Sequence, residues 1–298
     1  MSIFTTINNY GKMVKFSHTL FALPFAGLAS VIALLKSNLS TEDLIWKLIL
    51  ILLCMFTARS AAMGFNRYAD REFDKANPRT ANREIPSGVL SEKSVLSFTI
   101  LFGISFLIFS YLLSPLCFIL SIPALAIILF YSYSKRFTMF CHFILGLGIG
   151  ISPSGAWVAI QNNLELIPAL WSFGLMFHIA GFDILYSSQD VEVDKKLGLY
   201  SIPSRLGIPT AFLIAKISHV IAFVLFVYAG YLAQLEFFYY LFLGITGILF
   251  IVEHTLVSPT DLKKIPIAFF HINASISVIL FIGILLDRGK DLYTKFVQ

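Results

Sequence analysis

Apolar residues gather along this chain in nine long stretches, at positions 17–35, 44–65, 94–113, 115–133, 138–160, 166–186, 209–232, 236–256 and 266–286. Each is about 20 residues long, enough for an α-helix to cross the hydrocarbon core of a bilayer. A membrane β-barrel would give short alternating segments instead of such runs. The pattern predicts an all-α membrane protein with nine transmembrane helices, folded as a single domain over residues 1–298. The third and fourth stretches are parted only around Ser114-Pro115, where proline suits a tight turn and a helix start.

Composition narrows the class. Hydrophobic residues make up 57% of the chain and charged residues 13%, and the mean hydropathy is +0.82. A typical soluble domain carries about 25% charge. These values exclude a soluble enzyme, a disordered chain, a disulfide scaffold and a nucleic-acid-binding domain, so no nucleic acid is expected as a partner. Cys54, Cys117 and Cys141 fall in apolar runs without metal-ligand spacing. The net charge of +5 reads as topology. Of 22 Lys and Arg, fifteen lie in the N-terminus and the even-to-odd connections, and five on the other side. That excess predicts a cytoplasmic N-terminus and an external C-terminus in a bacterial inner membrane. Arg288, Lys290 and Lys295, after the last stretch, fit this poorly. The segment before the first stretch lacks a small-residue cleavage site and is expected to be retained.

Two cytoplasmic connections concentrate the polar residues. After the second stretch come Asn66, Asp70 and Asp74, spaced i, i+4, i+8; after the sixth come Asp190 and Asp194, spaced i, i+4. If the second helix runs on to Pro78, its three residues stack on one face, because residues four apart are neighbours. Like charges at that spacing repel unless a cation sits between them. Mg²⁺ takes one or two carboxylates together with substrate phosphates and waters, so two such pairs facing each other would hold metal and a diphosphate. A solvated charged cap accounts for either motif alone; their recurrence suggests a duplicated four-helix unit, stretches 1–4 and 5–8, with a ninth helix added. Basic partners for phosphate are Arg79, Arg83, Lys135, Arg136 and Lys196. The positive-inside rule alone would also account for Lys135 and Arg136. Arg59 lies within the second stretch, seven residues before Asn66, where an arginine faces a cavity or partner or else snorkels to the interface. Asp183 sits seven residues before Asp190, with a structural pair as its plainer reading. His18, His178 and His254 lack ligand spacing and read as packing histidines, and Lys216 as snorkelling.

Asn66-xxx-Asp70-xxx-Asp74, Arg79-Thr-Ala-Asn-Arg83, Pro86-Ser-Gly88, Tyr131-xxx-Lys135-Arg136 and Asp190-xxx-Asp194-Lys-Lys196-Leu-Gly198 together resemble the UbiA superfamily of intramembrane prenyltransferases. The resemblance spans Lys15 to about Gly207. It implies nine helices around a central cavity, open to the cytoplasm and laterally to lipid, and Mg²⁺-dependent transfer of a polyprenyl group from polyprenyl diphosphate to an aromatic acceptor. It further implies that Asn66, Asp70, Asp74, Asp190 and Asp194 hold the metal-diphosphate. Arg79, Arg83, Lys135, Arg136 and Lys196 would neutralise the leaving group, Arg59 would pair with the acceptor carboxylate, and Asp183 or Asp190 would orient the phenol. Arg67 stands where many members have Asp. The forms Lys15-Phe-Ser-His18 and Asn77-Pro-Arg-Thr-Ala-Asn-Arg83 are similar to a bacterial 4-hydroxybenzoate polyprenyltransferase-like subgroup. For that subgroup the implied acceptors are 4-hydroxybenzoate or, for menaquinone, 1,4-dihydroxy-6-naphthoate. A cation-coupled transporter stays open as the reading from another class. A lipid-phosphate alcohol transferase is disfavoured by the missing Asp-Gly-xx-Ala-Arg signature.

Overall fold

The computed structural model describes residues 3–15, 21–262, 264–265 and 271–297. His18, Lys263 and the start of the ninth apolar stretch lie outside them. The described residues form helices: α1 (Ile3–Val14), α2 (Leu23–Lys36), α3 (Thr41–Ala69), α4 (Arg71–Ala76), α5 (Glu92–Leu113), α6 (Pro115–Ser134), α7 (Cys141–Gly150), α8 (Ser152–Gln161), α9 (Leu166–Ser187), α10 (Val191–Lys196), α11 (Ile202–Leu206), α12 (Ile208–Leu232), α13 (Phe237–Leu256) and α14 (Asn273–Val297). Among these residues there is no strand, only a single bridge between Ser258 and Asp261.

Polar caps start the long helices. Ser40 accepts from the Asp43 amide at 3.1 Å to open α3, Ser91 from Ser94 at 3.2 Å for α5, and Ser114 from Cys117 at 3.1 Å for α6. Each satisfies an amide that the first turn leaves without a partner. Pro115 occupies the first position of α6, as expected from the sequence. The fifth apolar stretch is two helices. α7 and α8 meet at Ile151, next to Pro153, which has no amide to donate to the preceding turn.

Seven membrane-length apolar segments run through α3, α5, α6, α7–α8, α9 to α10, α12 and α13, and the chain is an integral membrane protein. α2 is apolar but only 14 residues long over the described residues, and α14 is not among the seven. The bundle packs α3 on α5, α5 on α6, α6 on α7, α9 on α7 and α12, α13 on α12 and α14, and α2 between α8 and α14. Gly146 and Gly150 let α7 press onto α9: a Cβ at Gly150 would stand 2.7 Å from the Ser172 carbonyl oxygen. His142 lies one turn before Gly146 on this same face of α7.

The basic residues of the last helix find partners at the end opposite the charged motifs. Arg288 pairs with Asp291 at 3.3 Å and Glu236 at 3.5 Å, and Lys295 donates to the carbonyls of Leu35 and Ser37 at the end of α2. These contacts explain two of the three cations, Arg288 and Lys295, on a face that the charge count leaves poor in them.

Candidate active site

The acidic motifs meet at one end of the bundle, around a cavity of about 210 Å³ lined by α3, α4, the 77–83 segment, the end of α6 and α9–α10. The register of Asn66, Asp70 and Asp74 survives a break in the helix. α3 ends at Ala69 and α4 begins at Arg71, yet the Asp70 amide donates to the Asn66 carbonyl at 2.9 Å and the Asp74 amide to the Asp70 carbonyl at 2.7 Å. The i, i+4 ladder carries on, so all three side chains line the cavity. Asp183, Asp190 and Asp194 line it from α9 and α10.

Three of these carboxylates are already paired with bases. Arg79 grips Asp190 with two hydrogen bonds, Nε to Oδ1 at 2.9 Å and Nη2 to Oδ2 at 2.5 Å, and Asn77 adds a third at 3.1 Å. Arg79 also donates to the Tyr186 hydroxyl at 2.8 Å. Arg83 Nη1 bonds both oxygens of Asp74, at 2.7 and 2.9 Å. Asp194, almost fully buried, accepts from Ser201 at 2.8 Å and stands 3.5 Å from Lys135 Nζ. Asp194 beside it holds the Lys135 ammonium above its usual range despite the loss of solvent around it. Arg136 donates to the Ala69 carbonyl at 2.6 Å and lies over the rings of Tyr133 and Phe73, tying α6 to α3.

Asp70 differs. Among the described residues it has no ion pair; its one side-chain partner is the Asn66 amide, which donates to Oδ2 at 2.8 Å. Burial, and then the neighbouring Asp74, push its carboxyl up to about 6, against the pull of Lys135 and Arg136. Asn66 turns its oxygen toward Arg67, whose Nη1 donates to it at 3.2 Å. Its oxygen therefore faces away from the carboxylates with which the sequence grouped it as a ligand.

One further placement departs from the sequence reading, and another, that of Asp183, takes its plainer form of a structural pair. Lys196 is exposed and does not line the cavity, since two residues past Asp194 a helix has turned about 200°. Asp183 bonds His142 Nδ1 at 2.7 Å, and the Ile202 amide donates to the other ring nitrogen at 3.3 Å. The sequence did not single out His142; its one signal is a histidine on the glycine face of α7. His178 packs against Phe182 and Phe250, and His254 reaches His219 at 3.0 Å, away from this cavity.

A second cavity of about 400 Å³ lies deeper, enclosed by α3, α5, α6, α7 and α8 and lined mostly by aliphatic side chains. Tyr131 and Leu145 belong to both cavities. Arg59 lines the apolar one; its Nε is buried, and among the described residues it makes no hydrogen bond or ion pair. An unpaired guanidinium facing an apolar membrane cavity is costly unless a ligand brings an anion to it.

A charged cavity beside an apolar one inside a membrane bundle offers room for a molecule with an anionic head and a hydrocarbon tail. The chain belongs to the UbiA prenyltransferase family, whose profile matches residues 22–275, and it is a prenyltransferase. It is 30% identical over 244 residues to the 4-hydroxybenzoate octaprenyltransferase of Citrobacter koseri, covering 82% of this chain and 83% of that one. To the enzyme of the same name from Providencia stuartii it is 32% identical over 237 residues, covering 78% and 80%. Its fold is similar to the apo structure of a UbiA homologue from Aeropyrum pernix K1, with a TM-score of 0.80 at 27% identity over 91% of this chain and 98% of that one. A homologue from Archaeoglobus fulgidus, solved with DMAPP and Mg²⁺, shares the fold with a TM-score of 0.73 at 17% identity over 94% and 99%. The transporter reading gives way to an enzyme.

Proposed function

We propose that this prenyltransferase transfers a polyprenyl group from polyprenyl diphosphate to an aromatic hydroxy-carboxylate of the 4-hydroxybenzoate type, in quinone biosynthesis. The observation that carries this reading is the pair of cavities meeting at Tyr131: buried carboxylates and bases on one side, and on the other an apolar chamber with Arg59, which has no partner among the described residues. The names of the curated relatives and the DMAPP and Mg²⁺ of the Archaeoglobus fulgidus homologue point the same way.

The donor set suits Mg²⁺. Four aspartates supply only oxygen, the ligand of hard cations, and Asp70 has no ion pair among the described residues. Among the described residues, as the side chains stand, no three His, Cys, Asp or Glu side chains are placed to hold a metal ion together. Asp70, Asp74, Asp190 and Asp194 would hold it, and bound there it would withdraw charge from the departing diphosphate. Arg79, Arg83 and Lys135 sit where they can leave their carboxylates for the diphosphate oxygens, with Arg136 beside them. Arg59 orients the acceptor through its carboxylate. Tyr131 and the aliphatic walls exclude water from an allylic cation that water would quench. Asp183, held by His142, faces the polar cavity where an acceptor phenol would be oriented.

Nine membrane helices in two related four-helix units, plus one, remain our reading of the topology. Its support is that α3–α5–α6 and α9–α12–α13, the second to fourth helices of stretches 1–4 and 5–8, pack in the same order. The positive-inside count supports a bacterial inner membrane with the polar cavity facing the cytoplasm. The test is prenyl transfer in membranes carrying the chain, with Mg²⁺, a long-chain prenyl diphosphate, and 4-hydroxybenzoate or 1,4-dihydroxy-6-naphthoate in parallel. Product from 4-hydroxybenzoate, lost in Asp70→Ala, supports the reading. Product from the naphthoate alone moves the chain to menaquinone synthesis, and none from either overturns the aromatic-carboxylate acceptor.

A further inference from the structure

His142 is fully buried in the first turn of α7, on the glycine face that presses against α9. Its Nδ1 lies 2.7 Å from Asp183 Oδ2, and the Ile202 amide donates to its Nε2 at 3.3 Å. That amide is itself held in place. It belongs to the first turn of α11, which Ser201 and Ser204 cap reciprocally: the Ser201 amide donates to Ser204 Oγ at 2.9 Å, and the Ser204 amide to Ser201 Oγ at 3.3 Å. Ser201 Oγ in turn donates to Asp194 Oδ2 at 2.8 Å. The Asp183 side chain is 23% exposed and lines the polar cavity, and it makes no other side-chain hydrogen bond among the described residues.

We propose that His142 is a positioning residue: locked as its Nδ1–H tautomer by the Ile202 amide, it holds Asp183 Oδ2 and leaves Oδ1 to select an acceptor that bears a ring hydroxyl. The proposal rests on the reading of Asp183 as the group that orients the acceptor phenol. A backbone amide only donates, so the Nε2 it meets carries no proton. The proton of the neutral ring then sits on Nδ1, which donates to Asp183. An imidazolium would set N–H against N–H at Ile202. The other neutral tautomer would do the same and turn a lone pair on Asp183 Oδ2. Rotating the ring by half a turn would put carbon where both nitrogens stand. One tautomer in one orientation therefore satisfies both neighbours. With Oδ2 occupied, Asp183 has one oxygen left for a donor in the cavity. The acceptor's carboxylate goes to Arg59 whatever the far end of the ring carries, so the hydroxyl is read separately, at Asp183. A site that commits a buried polar group to a hydroxyl rejects an analogue without one, because that group is left unpaired.

The measurement is calorimetric binding of 4-hydroxybenzoate and of benzoate to the purified full-length protein in detergent, with Mg²⁺ and inorganic diphosphate. If the naphthoate is the acceptor, 1,4-dihydroxy-6-naphthoate and 2-naphthoate make the same comparison. Both members of a pair carry the carboxylate, so the contact with Arg59 cancels in the ratio of their Kd values. A hydrogen bond to a charged group corresponds to about 10- to 150-fold, and the parent should prefer the hydroxylated acid by that much. Asparagine can place an N–H where Nδ1 stands, and glutamine an oxygen where Nε2 stands. His142→Asn should keep the preference within about threefold, whereas His142→Gln, which still ties α7 to Ile202, should lose about tenfold or more of it. Binding of the acid without the hydroxyl should hardly change in either. A histidine that only joins α7 to α11 predicts the reverse order, or a loss shared equally by both acids; either result overturns the proposal. ¹⁵N NMR of the histidine-labelled parent needs no ligand, with His142 assigned from whichever variant folds or from the resonance that Asp183→Asn moves. We expect a protonated Nδ1 and a bare Nε2. A proton on Nε2, alone or with one on Nδ1, overturns the role of His142 and leaves Asp183 at the acceptor. If the parent binds both acids alike, or neither, the reading of Asp183 at the acceptor hydroxyl falls and takes this inference with it.

Discussion

Arg59→Met should make the protein more stable and a poorer enzyme. Arg59 lies ten residues before the end of α3, about 15 Å down the helix. It has a buried Nε and no hydrogen bond or ion pair among the described residues. On insertion scales an arginine near the middle of a membrane helix costs about 2.5–3.5 kcal/mol. Its access to the cavity recovers part of that. Methionine fills a similar length with apolar atoms, so a gain of about 1 kcal/mol or more is expected, in line with other buried ions replaced by apolar residues. Function moves the other way. A hydrogen bond to a charged group contributes about 1.5–3 kcal/mol, which converts to a rise of about 10- to 150-fold in KM for a carboxylate acceptor. The assay is initial rate against acceptor concentration, for the free acid and its methyl ester, alongside thermal melting in detergent. The parent should prefer the acid, and the variant should lose that preference while melting higher. A variant that melts lower, or that keeps both its KM and its preference, refutes the view that Arg59 is an unpaired cation reserved for an acceptor carboxylate.

Two other outcomes follow from the polar cavity. On the proposed reading Asp70 would bind metal as the carboxylate, and its carboxyl is pushed up to about 6 by burial and then by Asp74. Mn²⁺ affinity should therefore be level above about pH 7 and fall about tenfold per unit below about 6, as protons compete for that oxygen; a flat profile from pH 5 to 8 would contradict this. Lys196 is exposed, whereas Lys135 stands against Asp194, so Lys196→Ala should keep kcat within about twofold while Lys135→Ala loses about 100-fold. Single-turnover rates on the two variants check the ordering, and equal losses would return Lys196 to the diphosphate site.

What the sequence made legible was local. Long apolar runs fix helices because a bilayer admits few alternatives. The i, i+4 spacing of Asn66, Asp70 and Asp74 predicted a shared face, and it holds because the hydrogen-bond ladder passes through the break at Asp70. Spacing could not say where a base points. Lys196 follows Asp194 by two, which places it on the wrong side of α10, whereas Lys135 reaches Asp194 from another helix, 59 residues away in sequence. Arg79 passes over its own motif to grip Asp190 of the second, from an irregular segment without periodicity to reveal its direction. His142 and Asp183 are 41 residues apart and meet because glycines bring α7 onto α9. Arg67 stood out only as a departure from the motif; its partners lie behind the asparagine, where spacing carries no information.

The pairing of the cavity's own charges bears on how substrate enters. Arg79, Arg83 and Lys135 each occupy a carboxylate assigned to metal: Asp190, Asp74 and Asp194. Breaking a buried ion pair by removing one partner costs about 3–5 kcal/mol, because the other is left uncompensated. The penalty is smaller here, where the bases are a quarter to a third exposed, but its sign is the same. A cation arriving alone would release the bases with nothing to hold. A diphosphate arriving alone would draw the bases away and leave the aspartates facing one another. Arriving together, each takes the partner that the other sets free, and none of the six charges in these three pairs is left bare. On the proposed reading the cavity therefore discriminates against free metal and against metal-free diphosphate by the same contacts, and admits the complex of the two.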